Sequence, residues 1–367
     1  MEIYLYPIST ALLHFWLAAF YFTTPYIFFN YYKYGSVSFY RSIIIFTFAF
    51  YMLCAFYLTI LPLPDPAKVK ENVGPFTQFI PFYFIYDFFK NTSFNIHNFS
   101  SVIRIFTKGV FLQPLFNTIL LLPFGIYLSY YFKRNFKQVF FLTALLSLFY
   151  ETTQITGLYG IYEKPYRIFD VDDIILNTFG GVLGYFIGTY ISKILPDREA
   201  IDKANFQKGM QVGYIRRYFA GMVDFNIVML FSSILYYQWF PITKDYINPI
   251  AFLGYFVLLP VFTRGKTLGK MLVRIRVVTV DSTKPLIFHL LIKYGLVYCL
   301  YVLLSLVIQM ITKLNSWPLL LYLFAMAMIW LLLFIDWTKS FRGEKRLWYE
   351  RLSHTKNESS LPPFVMP

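Results

Sequence analysis

The sequence predicts an all-α fold: a polytopic transmembrane helical bundle of about nine spans, with the N-terminus outside and the C-terminus cytoplasmic. Three observations predict it. The first is composition: 57% of the 367 residues are hydrophobic and only 14% are charged, with a mean hydropathy of +0.53. A soluble domain carries about 25% charged residues, and this chain lacks the polar surface such a domain needs. The second is the recurrence of apolar runs of bilayer length. The third is that Lys and Arg collect in alternate connections.

The first run, 8–30, follows Glu2 and no basic residue, and no small-residue cleavage site is evident, so it is expected to stay as a helix. The second, 41–61, ends at Pro62-Leu63-Pro64-Asp65. The long connection 62–113 contains the aromatic stretch Phe76–Tyr86, too short and Pro-broken to span, which suits the headgroup layer or a re-entrant turn. Asn91, Ser93, Asn95, Asn98 and Ser100 read as its exposed part. The next three runs are 114–132, 138–157 and 173–195. A polar stretch of mixed charge, 196–213, reads as a cytoplasmic linker. Four further runs follow at 217–239, 247–263, 287–312 and 317–337, of which 247–263 is short. The expected division is a five-helix domain at 1–195, the linker 196–213, a four-helix domain at 214–357 and a tail at 358–367. No sequence repeat relates the two halves, which argues against an inverted-repeat transporter.

Orientation follows from the basic residues. Connections on one side, together with the tail, hold 23 of the 33, among them Lys133, Arg134, Lys203, Arg264 and Arg276. Placed in the cytoplasm, they account for the net charge of +14 beside anionic lipid. This points to a multi-pass protein of the cell membrane with membrane lipid as a partner. Nucleic-acid binding is excluded, because no soluble basic domain exists to carry it. The Phe, Tyr, Ile, Lys and Asn bias suggests an AT-rich, bacterial genome.

Polar groups inside spans are the informative residues, because a charged group at a helix centre costs about 2.5–3.5 kcal/mol unless it faces protein or water. Ser147, Glu151 and Gln154 fall on one face of the fourth run. The fifth opens Asp170-Val171-Asp172-Asp173, with Asn177 one turn on, and either Asp172 or Asp173 could cap it. Asn117 lies early in the third run, and Arg167 is the natural counter-ion. Asn117, Glu151, Gln154, Arg167, Asp170, Asp173 and Asn177 are therefore expected to form one polar cluster toward the outer leaflet. Gly180, Gly184 and Gly188 make a small stripe for close helix approach.

In the second half, Arg217 and Asp224 share a helical face. Asp224 can pair with basic residues of 264–276 or line a proton or cation path. Val273, Ile275 and Val277 alternate with Arg274 and Arg276 as in a strand, and a local hairpin on the inner membrane face is expected. Gly265–Gly269 lacks the phosphate-loop pattern. Cys54 and Cys299 read as packing residues, and the four His form no metal cluster. No Ser-His-Asp set assembles, and neither a metal nor a cofactor is implied.

Two families are matched by these residues. Residues 43–195 resemble a VanZ-like domain through Asn117 with Leu122-Pro123-Phe124-Gly125, through Glu151-Thr152-Thr153-Gln154, and above all through Arg167–Gly181. The resemblance implies a bacterial envelope protein linked to low-level resistance to the glycopeptide teicoplanin, with no activity to carry over. Residues 213–357 resemble an RDD domain through Arg217–Asp224, through Lys266-Thr267-Leu268-Gly269-Lys270, and through Asp336 with Leu347–Thr355. Glu350 stands where that family usually has Asp. The resemblance implies Arg217, Asp224, Lys270, Asp336 and Glu350 as candidates, and links the half to cation or proton exchange. The leading expectation is recognition of a lipid-linked cell-wall precursor or lipoglycopeptide in the outer leaflet, because teicoplanin itself carries an acyl chain. Transport of a cation, proton or small solute, lipid-modifying catalysis with Glu151 as acid/base, and a purely structural scaffold remain as alternatives.

Overall fold

A computed structural model describes residues 2–71, 73–92, 108–238, 250–313 and 346–363. The protein is mostly helical, with two short two-stranded pairings. Four helices among the described residues are long and apolar enough to cross a membrane: Leu5–Tyr34, Phe39–Ile60, Gly109–Tyr130 and Val171–Ile191. Ile250–Phe262 and Ile287–Leu300 are shorter apolar helices. The expected run 317–337 lies outside the described residues, as do Ser93, Asn95, Asn98, Ser100 and Asp336. The chain divides into two compact units, one of residues 1–23 and 38–201 and one of residues 24–37 and 202–367. Helix α1 (Glu2–Tyr34) contributes to both.

In the first unit, α2 (Phe39–Ile60) is capped by Ser38, whose Oγ accepts from the Arg41 N–H. The long connection does not remain irregular. It forms β1 (Thr77–Gln78) and a nine-residue helix, α3 (Tyr83–Asn91). The expected third span is two helices, α4 (Gly109–Leu120) and α5 (Leu122–Tyr130), broken at Leu121. Pro123 explains the break, since it has no N–H to continue the ladder. The Tyr51 hydroxyl, 2.7 Å away, donates to the Leu120 carbonyl beside the break. Helix α6 (Phe136–Ile155) starts at a capping box in which Asn135 and Gln138 exchange hydrogen bonds. Its polar last turns make it less apolar than the four long helices. Strand β2 (Phe169–Asp170) pairs in parallel with β1 and leads directly into α7 (Val171–Ile191).

Helix α7 is the centre of this unit and packs on α4, α5 and α6. Its glycine stripe makes the approach possible: a Cβ at Gly184 would overlap the Leu122 carbonyl. The unit buries polar groups among its apolar core residues and exposes large apolar side chains. Thr143, Ser147 and Asn177 are buried, while Phe141, Leu145 and Phe186 are exposed. That pattern suits a lipid surround, where apolar side chains face the tails and polar groups must find internal partners.

In the second unit, the stretch expected as a linker is mostly α8 (Arg198–Gly209), and it is docked. The Tyr34 hydroxyl donates to Asp202 at 3.0 Å, and the Ser36 hydroxyl donates to the Asn205 carbonyl at 2.7 Å. Helix α9 (Tyr214–Gln238) follows. A short helix, α10 (Leu268–Leu272), capped by Thr267, precedes β3 (Ile275–Thr279). The strand expected from alternation is present, but not as a local hairpin. It pairs antiparallel with β4 (Thr355–Ser359) from the far end of the chain, Ile275 opposite Ser359. Ile275 and Val277 turn inward, and Arg276 meets Glu358 at 2.8 Å. Helices α11 (Ile287–Lys313) and α12 (Trp348–Leu352) complete the described part.

Candidate functional site

Five of the seven residues expected to cluster in the first unit form a linked polar group at the start of α7. Asp170 is its N-cap, and its side chain accepts from the Asp172 N–H at 2.8 Å. The Asp170 N–H donates to Glu151 Oε2 at 3.0 Å. The Asn117 amide donates to Asp173 Oδ1. The Ser147 hydroxyl donates to the Asp173 carbonyl at 3.5 Å and accepts from the Asn177 amide at 2.9 Å. Helices α4, α6 and α7 are thus joined where their polar residues meet.

Gln154 and Arg167 do something else. Both donate to the C-terminal carbonyls of α2. Gln154 Nε2 reaches the Thr59 carbonyl at 2.8 Å, while Arg167 reaches the carbonyls of Thr59 at 2.7 Å and Leu61 at 3.3 Å. Helix ends leave their last carbonyls unpaired, so a guanidinium fits there. Arg167 is exposed, and no ion pair within 4.0 Å joins it to an acid among the described residues. The expectation that it is the direct counter-ion is corrected on this point.

Asp172 has a role that the sequence left open. It is buried, and its two oxygens accept from the Phe82 N–H at 2.5 Å and the Phe84 N–H at 2.9 Å. It therefore caps α3 from outside that helix. Outside the spans, burial pushes the Asp170 carboxyl up, against the pull of the Asp172 N–H, and pushes the Tyr166 hydroxyl up to about 12. Buried atoms without a partner among the described residues include Asn177 Oδ1, Tyr150 Oη and Tyr166 Oη. The group holds four acidic side chains with no cation in contact among the described residues. Such an arrangement can accept hydrogen bonds, hold a proton or receive a cation.

In the second unit two fully buried acids, Glu350 and Asp224, have cations beside them. Glu350 is fully buried. Arg217 Nη1 lies 2.8 Å from Oε2, and Lys293 Nζ lies 3.1 Å from Oε1. The Leu347 N–H, at 3.1 Å, and the Asn357 amide also donate to it. Burial raises the Glu350 carboxyl, but Lys293 first and Arg217 second outweigh it and hold the group below the usual carboxylate range. Asp224 is also fully buried. It accepts from the Tyr255 hydroxyl at 2.7 Å, the Thr267 hydroxyl at 2.5 Å and the Gly269 N–H at 2.7 Å. A Cβ at Gly269 would overlap the Ala220 carbonyl, which explains glycine at that point of the Lys-Thr-Leu-Gly-Lys motif. Lys270 stands 3.9 Å from Asp224 and donates to the Tyr294 hydroxyl at 2.8 Å. Burial pulls the Lys270 ammonium down, opposed by Asp224 and Glu350.

The structure thus brings together Arg217 with Glu350 and Asp224 with Lys270. Asp336 lies outside the described residues. Sequence reasoning missed Lys293, Thr267 and Tyr294. Lys293 carried a signal, as a lone basic residue inside an apolar run. Among the described residues no group of three or more His, Cys, Asp or Glu could hold a metal ion.

Together, the apolar outward faces, the buried polar groups and the two units define a two-part helical membrane protein. Residues 48–192 match the VanZ/LLP1 family model and residues 211–349 match the RDD family model. The chain is a fusion of the two in one polypeptide. Neither a curated protein nor a solved structure matches it.

Proposed function

We propose that the VanZ-like unit recognises a lipid-linked or amphiphilic ligand at the outer leaflet and contributes to glycopeptide resistance of the teicoplanin type. One observation carries this reading. The acidic group of Glu151, Asp170 and Asp173, with no cation in contact among the described residues, lies next to α3, which Asp172 holds in place. Around α3, Phe79, Phe82, Tyr86 and Phe89 expose apolar rings. An acyl-bearing ligand with amine or hydroxyl donors would meet an apolar surface and hydrogen-bond acceptors side by side. The reading includes a multi-pass arrangement in the cell membrane of about nine spans, N-terminus out and C-terminus in. Deletion should raise teicoplanin susceptibility. Complementation with Glu151→Gln or Arg167→Ala should restore resistance less well than wild type. Unchanged susceptibility on deletion refutes the role.

The buried Asp224–Lys270–Tyr294 array supports a second reading, cation or proton exchange by the RDD unit. Reconstituted protein would then dissipate an imposed ion or pH gradient, and Asp224→Asn would stop it. Absence of flux with every cation tested would end this reading.

A further inference from the structure

A cleft of about 840 Å³ opens in the second unit where β3 turns into α11. It belongs neither to the Asp224 group nor to the Glu350 group. Its lining among the described residues includes Lys284, Arg346 and Arg351, against one acid, Asp281. His289, in the first turn of α11, also lines it, and the His289 Nδ1 atom is buried without a partner among the described residues. A buried ring nitrogen left unpaired costs free energy, so the site favours a group that can meet it. The cleft also sits at the N-terminal end of a 27-residue helix, where backbone N–H groups and the helix dipole favour an anion.

The apolar residues beside it indicate which anion. Leu286 is part of the lining, and Leu286, Ile287 and Phe288 are all exposed. These three lead into the apolar stretch of α11, so the cleft marks the level where lipid tails give way to headgroups. A free anion has no use for that apolar edge, whereas a phospholipid offers a phosphate and a chain on one molecule.

We propose that this cleft binds the phosphate headgroup of an anionic phospholipid, with Lys284 and Arg346 meeting the charge and Leu286 and Phe288 lying along the acyl chain. The site is separate from the ligand reading of the first unit and stands or falls without it.

The experiment uses the purified full chain in neutral detergent micelles, titrated with phosphatidylglycerol or phosphatidylcholine and read by native mass spectrometry. Phosphatidylglycerol should bind more tightly than phosphatidylcholine. Lys284→Ala with Arg346→Ala should weaken it by about tenfold or more, as expected for two basic residues at an anionic lipid surface. A control removing equal charge elsewhere, Lys203→Ala with Lys208→Ala on α8, should stay within about twofold of wild type. Equal affinities of wild type and the cleft variant overturn the proposal, as does an equal loss in the control. Full displacement of phosphatidylglycerol by an equal concentration of inorganic phosphate would make the cleft a free-anion site and overturn the lipid assignment.

Discussion

In the first unit, Glu151 takes a backbone N–H and Asp173 takes the Asn117 amide, while in the second Glu350 lies between Arg217 and Lys293, and Asp224 beside Lys270. The two units thus bury carboxylates in different ways. Neutral donors leave the acids of the first unit their charge or proton to exchange. Cations in the second cancel charge locally, at the cost of making each partner depend on the other. Buried ion pairs are weak as net stabilisers but costly to break from one side. In the second unit the ion pairs of Glu350 join α9, α11 and α12, whereas in the first, among the described residues, the acids are joined to α4, α6 and α7 through neutral donors alone.

The largest expected effect tests the second half of that contrast. Glu350→Ala strands Arg217 and Lys293 and should cost about 3–5 kcal/mol. Glu151→Ala, which strands only neutral donors, should cost about 1–3 kcal/mol. Unfolding midpoints in detergent measure both, and equal losses would break the comparison. The pH dependence has a definite sign. Because the folded Glu350 carboxyl sits below its ordinary value, its stabilising contribution is present above that range. It is lost as pH falls through the folded value. Glu350→Gln should flatten this acid limb in the same assay.

A smaller effect concerns packing. Gly184→Val places side-chain atoms on the Leu122 carbonyl and should cost about 1–3 kcal/mol. Gly221→Ala in α9, where a Cβ meets nothing within 4 Å, should be neutral or stabilise by up to about 1 kcal/mol. The same unfolding assay separates them. The smallest effect is local. Asp172→Asn weakens the two N–H contacts that cap α3, worth about 1 kcal/mol. Hydrogen exchange should rise in Tyr83–Asn91 while α7 stays protected; a rise across both would mean that Asp172 supports the whole unit.

Much of this was legible in the residues. Long apolar runs predicted the helices, and i, i+4 placement predicted that Asn177 and Asp173 would share a polar face; a capped helix start was expected at Asp172 or Asp173, but the cap is Asp170, whose side chain accepts from the Asp172 N–H. The Arg274–Arg276 alternation predicted a strand. Spacing cannot reveal partners that are distant in the chain. Arg167 precedes Asp170, Asp172 and Asp173 by a few residues, so sequence proximity made it their counter-ion, yet it turns to the end of α2, where the carbonyls of Thr59 and Leu61 accept from it. Asp172 looked like one more member of an acidic run until α3 came to lie against it.

By itself, the sequence determined a helical membrane protein with polar residues confined to particular helix faces, because hydropathy and periodicity are local properties of the chain. It also determined the fusion of two families, since each carries its motif in a continuous stretch. Only the tertiary structure decided which acid meets which donor: Glu151 with a backbone N–H, Glu350 with two cations, β3 with a strand some eighty residues away. A buried charge is settled by whatever the fold brings within about 3 Å of it, and that distance is not written along the chain.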